Sequence, residues 1–212
     1  MQKRFLLLSL VMAVGLVLLG AAAFATPYDL TVTNDPTVGP SDGSVIYGTV
    51  NVTVVLGRVD FSVDVNQLYL TPSGSNFGID NFYFNTGLAL QASDFNLPAG
   101  WIVDIAPPPP TGFNVSEFGR FLVKVTDPPR MDPLVFSILD PLITAENQFY
   151  VANADGYHYA AHIAGFSLNG TTSTSAHFAD GAAPVPEPAT MLLLGTGLIG
   201  LAGIGRKKLK TA

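Results

Sequence analysis

Short stretches of alternating apolar and polar residues run through the chain between residues 26 and 168. In VIYGTVNVTVVL the apolar side chains fall at Val50, Val52 and Val54, with polar residues between them, which is the period of a half-buried strand. A turn at Gly57 separates this stretch from the similar pattern VDFSVDVNQLYL. The pair predicts a β-hairpin.

Further segments of the same kind follow, separated by turn sequences such as TPSGSN, TDPPRMDP and NADG and by the proline run at residues 107–110. The predicted strands are NFYFN, LALQASDF, WIVDI, RFLVKV, LVFSIL, QFYVANA and YHYAAHIAGFSL. None of this region has the sustained 3.6-residue period of a helix. We therefore expect an all-β body at residues 26–168, an antiparallel β-sandwich of jelly-roll type.

The two ends of the chain have a different pattern. At the start, Lys3 and Arg4 precede an uncharged apolar run at residues 5–19, and Ala23 and Ala25 then form an A-x-A site. This order predicts a secretory signal peptide at residues 1–25, cut by signal peptidase after Ala25. The alternative is an uncleaved membrane anchor.

Near the other end, residues 189–205 contain no charge. As a helix they would reach about 25 Å, enough for a thin hydrocarbon layer. The basic cluster Arg206, Lys207 and Lys208 follows directly, and the positive-inside rule keeps it in the cytoplasm. We therefore predict a single transmembrane helix in the inner membrane, with the body on the outer side.

A proline-rich tripeptide, Pro186, Glu187 and Pro188, precedes this apolar run. Each proline fixes its own φ, and Pro188 keeps Glu187 out of the helical region, so the carboxylate projects from an extended backbone. Residues 169–185 are small and polar and are predicted to form a flexible Ser/Thr/Ala/Gly linker.

Residues 186–212 resemble the PEP-CTERM sorting signal of Gram-negative bacteria, because they contain the tripeptide, a Gly-rich apolar run and a basic end in this order. The resemblance implies that Pro186, Glu187 and Pro188 are recognised by a membrane enzyme, an exosortase. It also implies that Arg206, Lys207 and Lys208 are the stop cluster, and that the protein is linked to exopolysaccharide and biofilm production. The alternative is a permanent C-terminal anchor with an incidental Pro-Glu-Pro.

The charge of the body limits the classes of partner that it is expected to bind. The 212-residue chain has a net charge of -6, but six of its ten basic residues lie in the two end segments. Between Asp29 and Asp180 fifteen acidic residues face four basic ones, which disfavours nucleic acid and suits cations or neutral polymers. The chain has no cysteine, which excludes disulfides, thiolate metal sites and a cysteine nucleophile.

Candidate catalytic motifs are weak. Ser41 lies in a G-x-S-x-G sequence, but the hydrolase elbow needs a strand before the serine and a helix after it, so a surface turn is predicted instead. Glu117 and Glu146 are the only glutamates of the body, and nothing in the sequence pairs them in a cleft. We expect a protein that is not an enzyme.

Metal and cofactor sites are not assigned either. His158 and His162 would share one face of a strand about 13 Å apart, too far for one metal, and His177 falls in the predicted linker. A structural calcium ion stays open, because several side chains offer oxygen ligands but are also typical of turns. These are Asp60, Asp64, Asp80, Asn81, Asn153 and Asp155, beside Gly156.

The aromatic side chains are a further candidate binding surface. Tyr69, Tyr83, Tyr150, Tyr157, Tyr159 and Trp101 are candidates for a sugar-stacking platform, with core packing as the alternative. Taken together, we expect an exported structural or adhesive protein of the cell surface or matrix. A carbohydrate-binding module is the first alternative, and a secreted hydrolase is the second.

Overall fold

The structure, a computed structural model, describes residues 25–107, 111–168 and 174–181. All described residues belong to one compact unit, which ends at Gly181. The predicted signal peptide up to residue 24 and the predicted transmembrane helix therefore lie outside the described residues. Within the described ranges, no helix has the length and apolar character needed to cross a membrane.

The described chain is built from short strands joined by turns and three single-turn 3₁₀ segments, at Ala92–Asp94, Ser116–Phe118 and Glu146–Gln148. The strands are β1 (Thr26–Thr33), β2 (Gly48–Val55), β3 (Arg58–Val65), β4 (Thr71–Pro72), β5 (Gly78–Phe84), β6 (Phe95–Asn96), β7 (Ile102–Ile105), β8 (Phe113–Asn114), β9 (Arg120–Phe121), β10 (Val123–Met131), β11 (Leu134–Leu139), β12 (Tyr159–Ser167) and β13 (Thr174–Asp180).

Eleven of these strands form one antiparallel sheet. Its order is β6-β11-β3-β2-β1-β13-β12-β5-β10-β7, and β4 adds to β12. Strands β8 and β9 pair separately. The last strand of the body, β13, therefore lies in the middle of the sheet, between the first strand and β12.

The hairpin predicted from the alternating pattern is confirmed. Strands β2 and β3 pair from Gly48 opposite Val65 to Val55 opposite Arg58, and a two-residue turn joins them. Gly57 has a φ of 79° in this turn, a backbone conformation that side-chain-bearing residues rarely adopt. Val50 and Val52 are fully buried, so the apolar face of the pattern is the inner face.

The sheet curls until its two halves face each other across one core. Phe61 of β3 lies 5.2 Å from Phe84 of β5, and 6.4 Å from Tyr159 of β12, measured between ring centroids. Strands β3 and β5 are five positions apart in the sheet, which in a flat sheet would separate them by about 24 Å. The contacts therefore require the nearly barrel-shaped curvature.

A smaller apolar cluster covers part of the outer face. Val115, Phe118 and Phe121 from the segment around β8 and β9 pack on Tyr83 of β5, together with Ala160 and Ala179 on β12 and β13. These alanines bring the covering segment close to the backbone of the central strands. Both faces of β12 and β13 are consequently buried over part of their length.

The all-β, antiparallel fold is thus confirmed, but the jelly-roll sandwich needs correction. A jelly roll has two separate sheets, whereas main-chain hydrogen bonds here run without a break from β6 to β7. The continuity depends on β13, which pairs with both β1 and β12.

The predicted domain boundaries need correction at residues 174–180. The sequence predicts that these residues belong to the linker, but they form β13, and the compact unit extends to Gly181. Ala176, Phe178 and Ala179 are buried, so apolar burial holds the strand in place. The predicted body of residues 26–168 is therefore extended by this strand.

Two further predicted strands are wrong. LALQASDF contains a 3₁₀ turn closed by the Asp94 carboxylate, which accepts a hydrogen bond from the Gln91 amide, and only its last residue enters β6. QFYVANA contributes no strand; the Gln148 side chain accepts bonds from the amides of Thr144 and Ala145 instead. In both cases the alternation of apolar residues reflects burial of single side chains from a loop.

Candidate functional site

The first and last strands of the body pair with each other in the curled sheet. Thr26, where β1 begins, is opposite Val52 of β2, and β13 runs antiparallel to β1 with Asp180 opposite Leu30. We call the end with Thr26, the β2–β3 turn and the loop at residues 140–150 the terminal end. The opposite end, with the turns at residues 66–70 and 132–133, is the distal end.

A carboxylate from the loop fastens the beginning of β1. The Glu146 side chain accepts hydrogen bonds from the Thr26 hydroxyl, at 2.7 Å, and from the Tyr28 phenol. Burial raises the pKa of Tyr28, and the hydrogen bond to Glu146 raises it further, so the phenol stays protonated and donates. The first residue after the predicted cleavage site is therefore tied into the fold.

A second carboxylate holds the end of β13. Asp180 is 4 % exposed and accepts hydrogen bonds from the amides of His158 and Tyr159, both at 2.9 Å, while its other oxygen lies 2.7 Å from Nδ1 of His158. Burial raises the pKa of Asp180, and these bonds offset part of that effect. Tyr150 stacks on the His158 ring at 3.6 Å between centroids and also stacks on Tyr28. A network of hydrogen bonds and stacked rings thus connects the beginning of β1 to the end of β13.

The residues predicted for export and sorting lie before β1 and after β13 in the sequence. Ala25 is the first described residue and is exposed just before β1, whereas Ala23 lies outside the described residues. The tripeptide Pro186, Glu187 and Pro188 and the stop cluster Arg206, Lys207 and Lys208 lie outside them too. Gly181, the last residue of the described unit, precedes Pro186 by five positions.

The three histidines are arranged differently from the prediction. His177 is not in a linker but on β13, directly opposite His162 of β12, with the ring centroids 4.5 Å apart. Nδ1 of His162 lies 2.6 Å from Asp80, which also receives a 3.3 Å contact from Arg130. His158 belongs to the Asp180 network, so His158 and His162 bind different carboxylates. Pairing of strands distant in sequence brings His162, His177 and Asp80 together, and no spacing in the sequence predicts this histidine–aspartate cluster.

The surroundings of His177 in the histidine–aspartate cluster favour its neutral form. Burial lowers the pKa of His177 to about 4, and the neighbouring His162 acts in the same direction. Burial alone would raise the pKa of Asp80, but the hydrogen bond from His162 and the charge of Arg130 outweigh it and the pKa is lowered. Asp80 is consequently an ionised partner for His162 and Arg130.

Five of the side chains considered for calcium, Asp60, Asp64, Asp80, Asn81 and Asn153, have protein partners. Asp60 pairs with Arg58, Asp64 accepts bonds from Asn51 and Ser62, and Asn81 bonds to Asp80. Asn153 accepts from the amides of Asp155 and Tyr157, which closes the turn at Gly156. Among the described residues, no group of three or more His, Asp or Glu side chains is arranged to hold a metal ion.

Ser41 lies in an exposed turn, where its hydroxyl donates to the Thr33 carbonyl and accepts from the Thr33 amide. The candidate aromatic platform is dispersed. Tyr159 and Trp101 are buried in the main core, and Tyr83 and Tyr157 pack in the outer cluster with Phe118. Trp101 also donates its indole N–H to the carbonyl of Pro129. The six side chains do not share an exposed face.

A cleft of about 630 Å³ lies beside the outer apolar cluster. The described residues that line it include no aromatic ring. The polar ones are Asn85, Thr111, Asn114, Arg120, Asn153 and Asp155, and the apolar ones are Leu122, Val151, Ala152 and Ala154. Asn85 and Asn153 use part of their hydrogen-bonding capacity on the Leu122 amide and the Phe118 carbonyl. The cleft therefore combines mostly apolar walls with a few polar groups, which is the usual composition of a small-molecule site.

Comparison with known proteins identifies one region of the chain. No curated protein and no solved structure matches it significantly. A family model, the PEP-CTERM protein-sorting motif, matches residues 184–207, which contain the tripeptide, the uncharged segment and the first basic residues. The chain therefore carries a PEP-CTERM protein-sorting motif, as the resemblance predicted.

Proposed function

We propose that this chain is an exported protein that an exosortase sorts, and that its β-sheet body acts outside the inner membrane. The sorting motif at residues 184–207 is the observation that carries the proposal. The signal-like sequence at residues 1–25 supports it independently, because both features place the body on the same side of the membrane.

In this proposal signal peptidase cuts after Ala25, and the segment at residues 189–205 holds the chain in the inner membrane for a limited time. The exosortase then reads Pro186, Glu187 and Pro188 and releases or attaches the body at the cell surface or in the matrix. Arg206, Lys207 and Lys208 keep the end of the chain cytoplasmic until that step.

The body itself is proposed to have a structural or adhesive role in a matrix that contains exopolysaccharide. Its excess of acidic over basic residues supports contact with neutral polymers and divalent cations rather than nucleic acid. One continuous sheet with both faces partly covered supports a stable module with no need for disulfides.

A carbohydrate-binding module is the second candidate, and the cleft beside the outer cluster favours it. Asn114 and Arg120 project from exposed positions on its wall, and amide and guanidinium groups are common hydrogen-bond partners of sugar hydroxyls. Under this candidate, Asn114→Ala and Arg120→Ala abolish binding to a neutral-polysaccharide array. Arg58→Ala, a basic residue remote from the cleft, is the matched control and keeps binding.

Sorting is tested by the intact mass and the cell fraction of the native protein, with and without the host exosortase. We expect a chain that starts at Thr26 and ends near Pro188, found at the surface or in the medium, and a longer membrane-bound chain when the enzyme is missing. Glu187→Ala removes the projecting carboxylate and should give the longer form in both strains. An uncut C-terminus in the inner membrane of both strains for the unaltered protein contradicts the proposal.

A further inference from the structure

Two histidines lie side by side on the outer face of the sheet. His162 of β12 and His177 of β13 are directly opposite each other, and the centroids of their rings are 4.5 Å apart. Ala176 and Phe178, on either side of His177, belong to the main core, so the two imidazoles face outward together. Two nitrogens that bind one metal ion at about 2.1 Å each are at most about 4 Å apart, a distance that this ring separation permits.

The hydrogen bond of His162 leaves one of its nitrogens available. Nδ1 lies 2.6 Å from Oδ1 of Asp80, and because a carboxylate oxygen accepts, Nδ1 carries the proton and Nε2 has a free lone pair. A carboxylate in this position is the usual outer partner of a metal-bound histidine, since it fixes the tautomer and the orientation of the ring. Asp80 is itself held by the Asn81 side chain at 2.7 Å.

The ring of His177 has no hydrogen-bond partner among the described residues. Its backbone amide donates to the Asn34 side chain, whereas its imidazole has ring contacts with His162 and Tyr83. Tyr150 is the one described residue with a buried side-chain polar atom that lacks a partner, so the ring nitrogens of His177 reach solvent. The His177 ring can therefore turn toward an ion without losing a hydrogen bond, and the side chain of His162 is 21 % exposed beside it.

We propose that His162 and His177 form a binding site for a divalent transition-metal ion, Cu²⁺ or Zn²⁺, with Asp80 as the positioning residue of His162. Imidazole nitrogens suit both ions, and Cu²⁺ is the one that a given set of ligands binds more tightly. Two protein ligands leave the other coordination positions to water or to a group from outside the chain. The site is thus an open one, unlike a site of three or more side chains, which the described residues do not form.

The charge of the body favours a cation at this surface. Acidic residues outnumber basic ones fifteen to four in the body, so cations concentrate around it. Arg130 is the basic residue in contact with the cluster. Its guanidinium group contacts Oδ2 of Asp80 and donates to the Asn76 carbonyl, whereas His162 binds the other carboxylate oxygen. Arg130 therefore holds Asp80 from the side that does not bind His162.

The composition of the chain makes the test specific. It has three histidines and no cysteine, and the third histidine, His158, is 9 % exposed and contacts Asp180 through Nδ1. Untagged full-length protein in detergent is titrated with Cu²⁺ against glycine as a weak competing chelator, and the bound ion is examined by pulsed electron paramagnetic resonance. His162→Asn and His177→Asn each remove one ligand, and His158→Asn is the matched control.

We expect one bound Cu²⁺ per chain, with two imidazole nitrogens in its spectrum. His162→Asn and His177→Asn should each leave one imidazole nitrogen and weaken binding, whereas His158→Asn should bind like the unaltered chain. Asp80→Asn should keep both nitrogens but weaken binding by about tenfold or more, because loss of an outer partner typically lowers metal affinity by that amount.

A spectrum of the unaltered protein with one imidazole nitrogen or none overturns the inference, and this result does not depend on the folding of any variant. Circular dichroism without metal identifies the variants that fold. Folded His177→Asn that binds Cu²⁺ as tightly as the unaltered chain, or folded His158→Asn that loses binding, also overturns the inference. The sorting function stands in each case, because the proposed site lies in the body and not in the motif.

Discussion

The strands that begin and end the body are held by carboxylates differently from the turn at the distal end of the sheet. Glu146 accepts hydrogen bonds from side chains at the beginning of β1, and the buried Asp180 at the end of β13 accepts them from two backbone amides of the segment that begins β12. At the distal end, the half-buried Asp132 accepts bonds from the Val65 amide and the Gln67 side chain. The comparison indicates that the more deeply buried acceptor, Asp180, contributes more to the stability of the sheet.

The largest expected effect comes from weakening β13, because this strand joins β1 to β12 in the middle of the sheet. Phe178 is fully buried and packs on Tyr47 and Phe166. Phe178→Ala should lower the free energy of unfolding by about 3–5 kcal/mol. Urea unfolding measures it, with the exposed Ser175→Ala on the same strand as control, expected within about 0.5 kcal/mol of the unaltered chain.

Equal stability of the Phe178→Ala and Ser175→Ala proteins would restore the linker interpretation of residues 174–180. It would also mean that the hydrogen bonds of Asp180 do not contribute to the sheet, because β13 is the strand that connects Asp180 to β1 and β12.

A direct comparison of the two ends comes next. Asp180→Ala leaves two buried backbone amides without their acceptor, which should cost about 2–4 kcal/mol of unfolding free energy. Asp132→Ala removes a half-buried acceptor of one amide and one exposed side chain, and we expect about 1 kcal/mol. Thermal and urea unfolding of both variants measure the ratio. A larger loss for Asp132→Ala contradicts the asymmetry.

Acid should weaken the distal half of β13, where His177 lies. Native His177 takes up its proton only near pH 4, whereas an unfolded histidine does so near pH 6.5. The unfolded state therefore binds more protons between these values, and stability falls as the pH is lowered through this range. Allowing for solvent screening of a partly buried ring, we expect a loss of about 1 kcal/mol.

Melting temperatures between pH 7 and pH 4 measure this loss, and His177→Asn should flatten that part of the profile. His162→Asn is not an equivalent control, because it also removes the partner of Asp80. A profile that is unchanged in His177→Asn would mean that other groups cause the acid sensitivity.

The smallest effect on stability is expected where the terminal end is most exposed. Leu56→Ser and Leu142→Ser should change the unfolding free energy by less than about 0.5 kcal/mol, since both side chains are mostly in water. Urea unfolding measures this change, and a clear loss of stability would show that these leucines contribute to the fold.

Sequence reasoning succeeded where the signal is local. The β2–β3 hairpin follows from alternating valines and one glycine turn, and the sorting motif is contiguous over residues 184–207. It failed at β13, because Thr174 and Ser175 continue a small polar stretch and Phe178 is the strand's one large apolar residue. Cross-strand alanines at positions 160 and 179 allow close covering, but alanine alternation is a weak strand signal.

Long-range pairing explains the other failures. His162, His177 and Asp80 lie on three strands, and only the register of β5, β12 and β13 brings them together. The terminal end likewise combines residues 26, 56 and 142, whose proximity depends on the order of strands in the sheet. No sequence spacing encodes that order.

Native-state hydrogen exchange tests the central claim most directly, namely that the folded body includes β13 and ends at Gly181. The account predicts that the amides of β13 exchange as slowly as those of its neighbours β1 and β12, because they are hydrogen-bonded in the middle of the sheet. Exchange of residues 174–180 at the rate of unstructured chain, while β1 and β12 remain protected, would contradict it. The sorting motif would then follow a long linker at residues 169–185, as the sequence predicts.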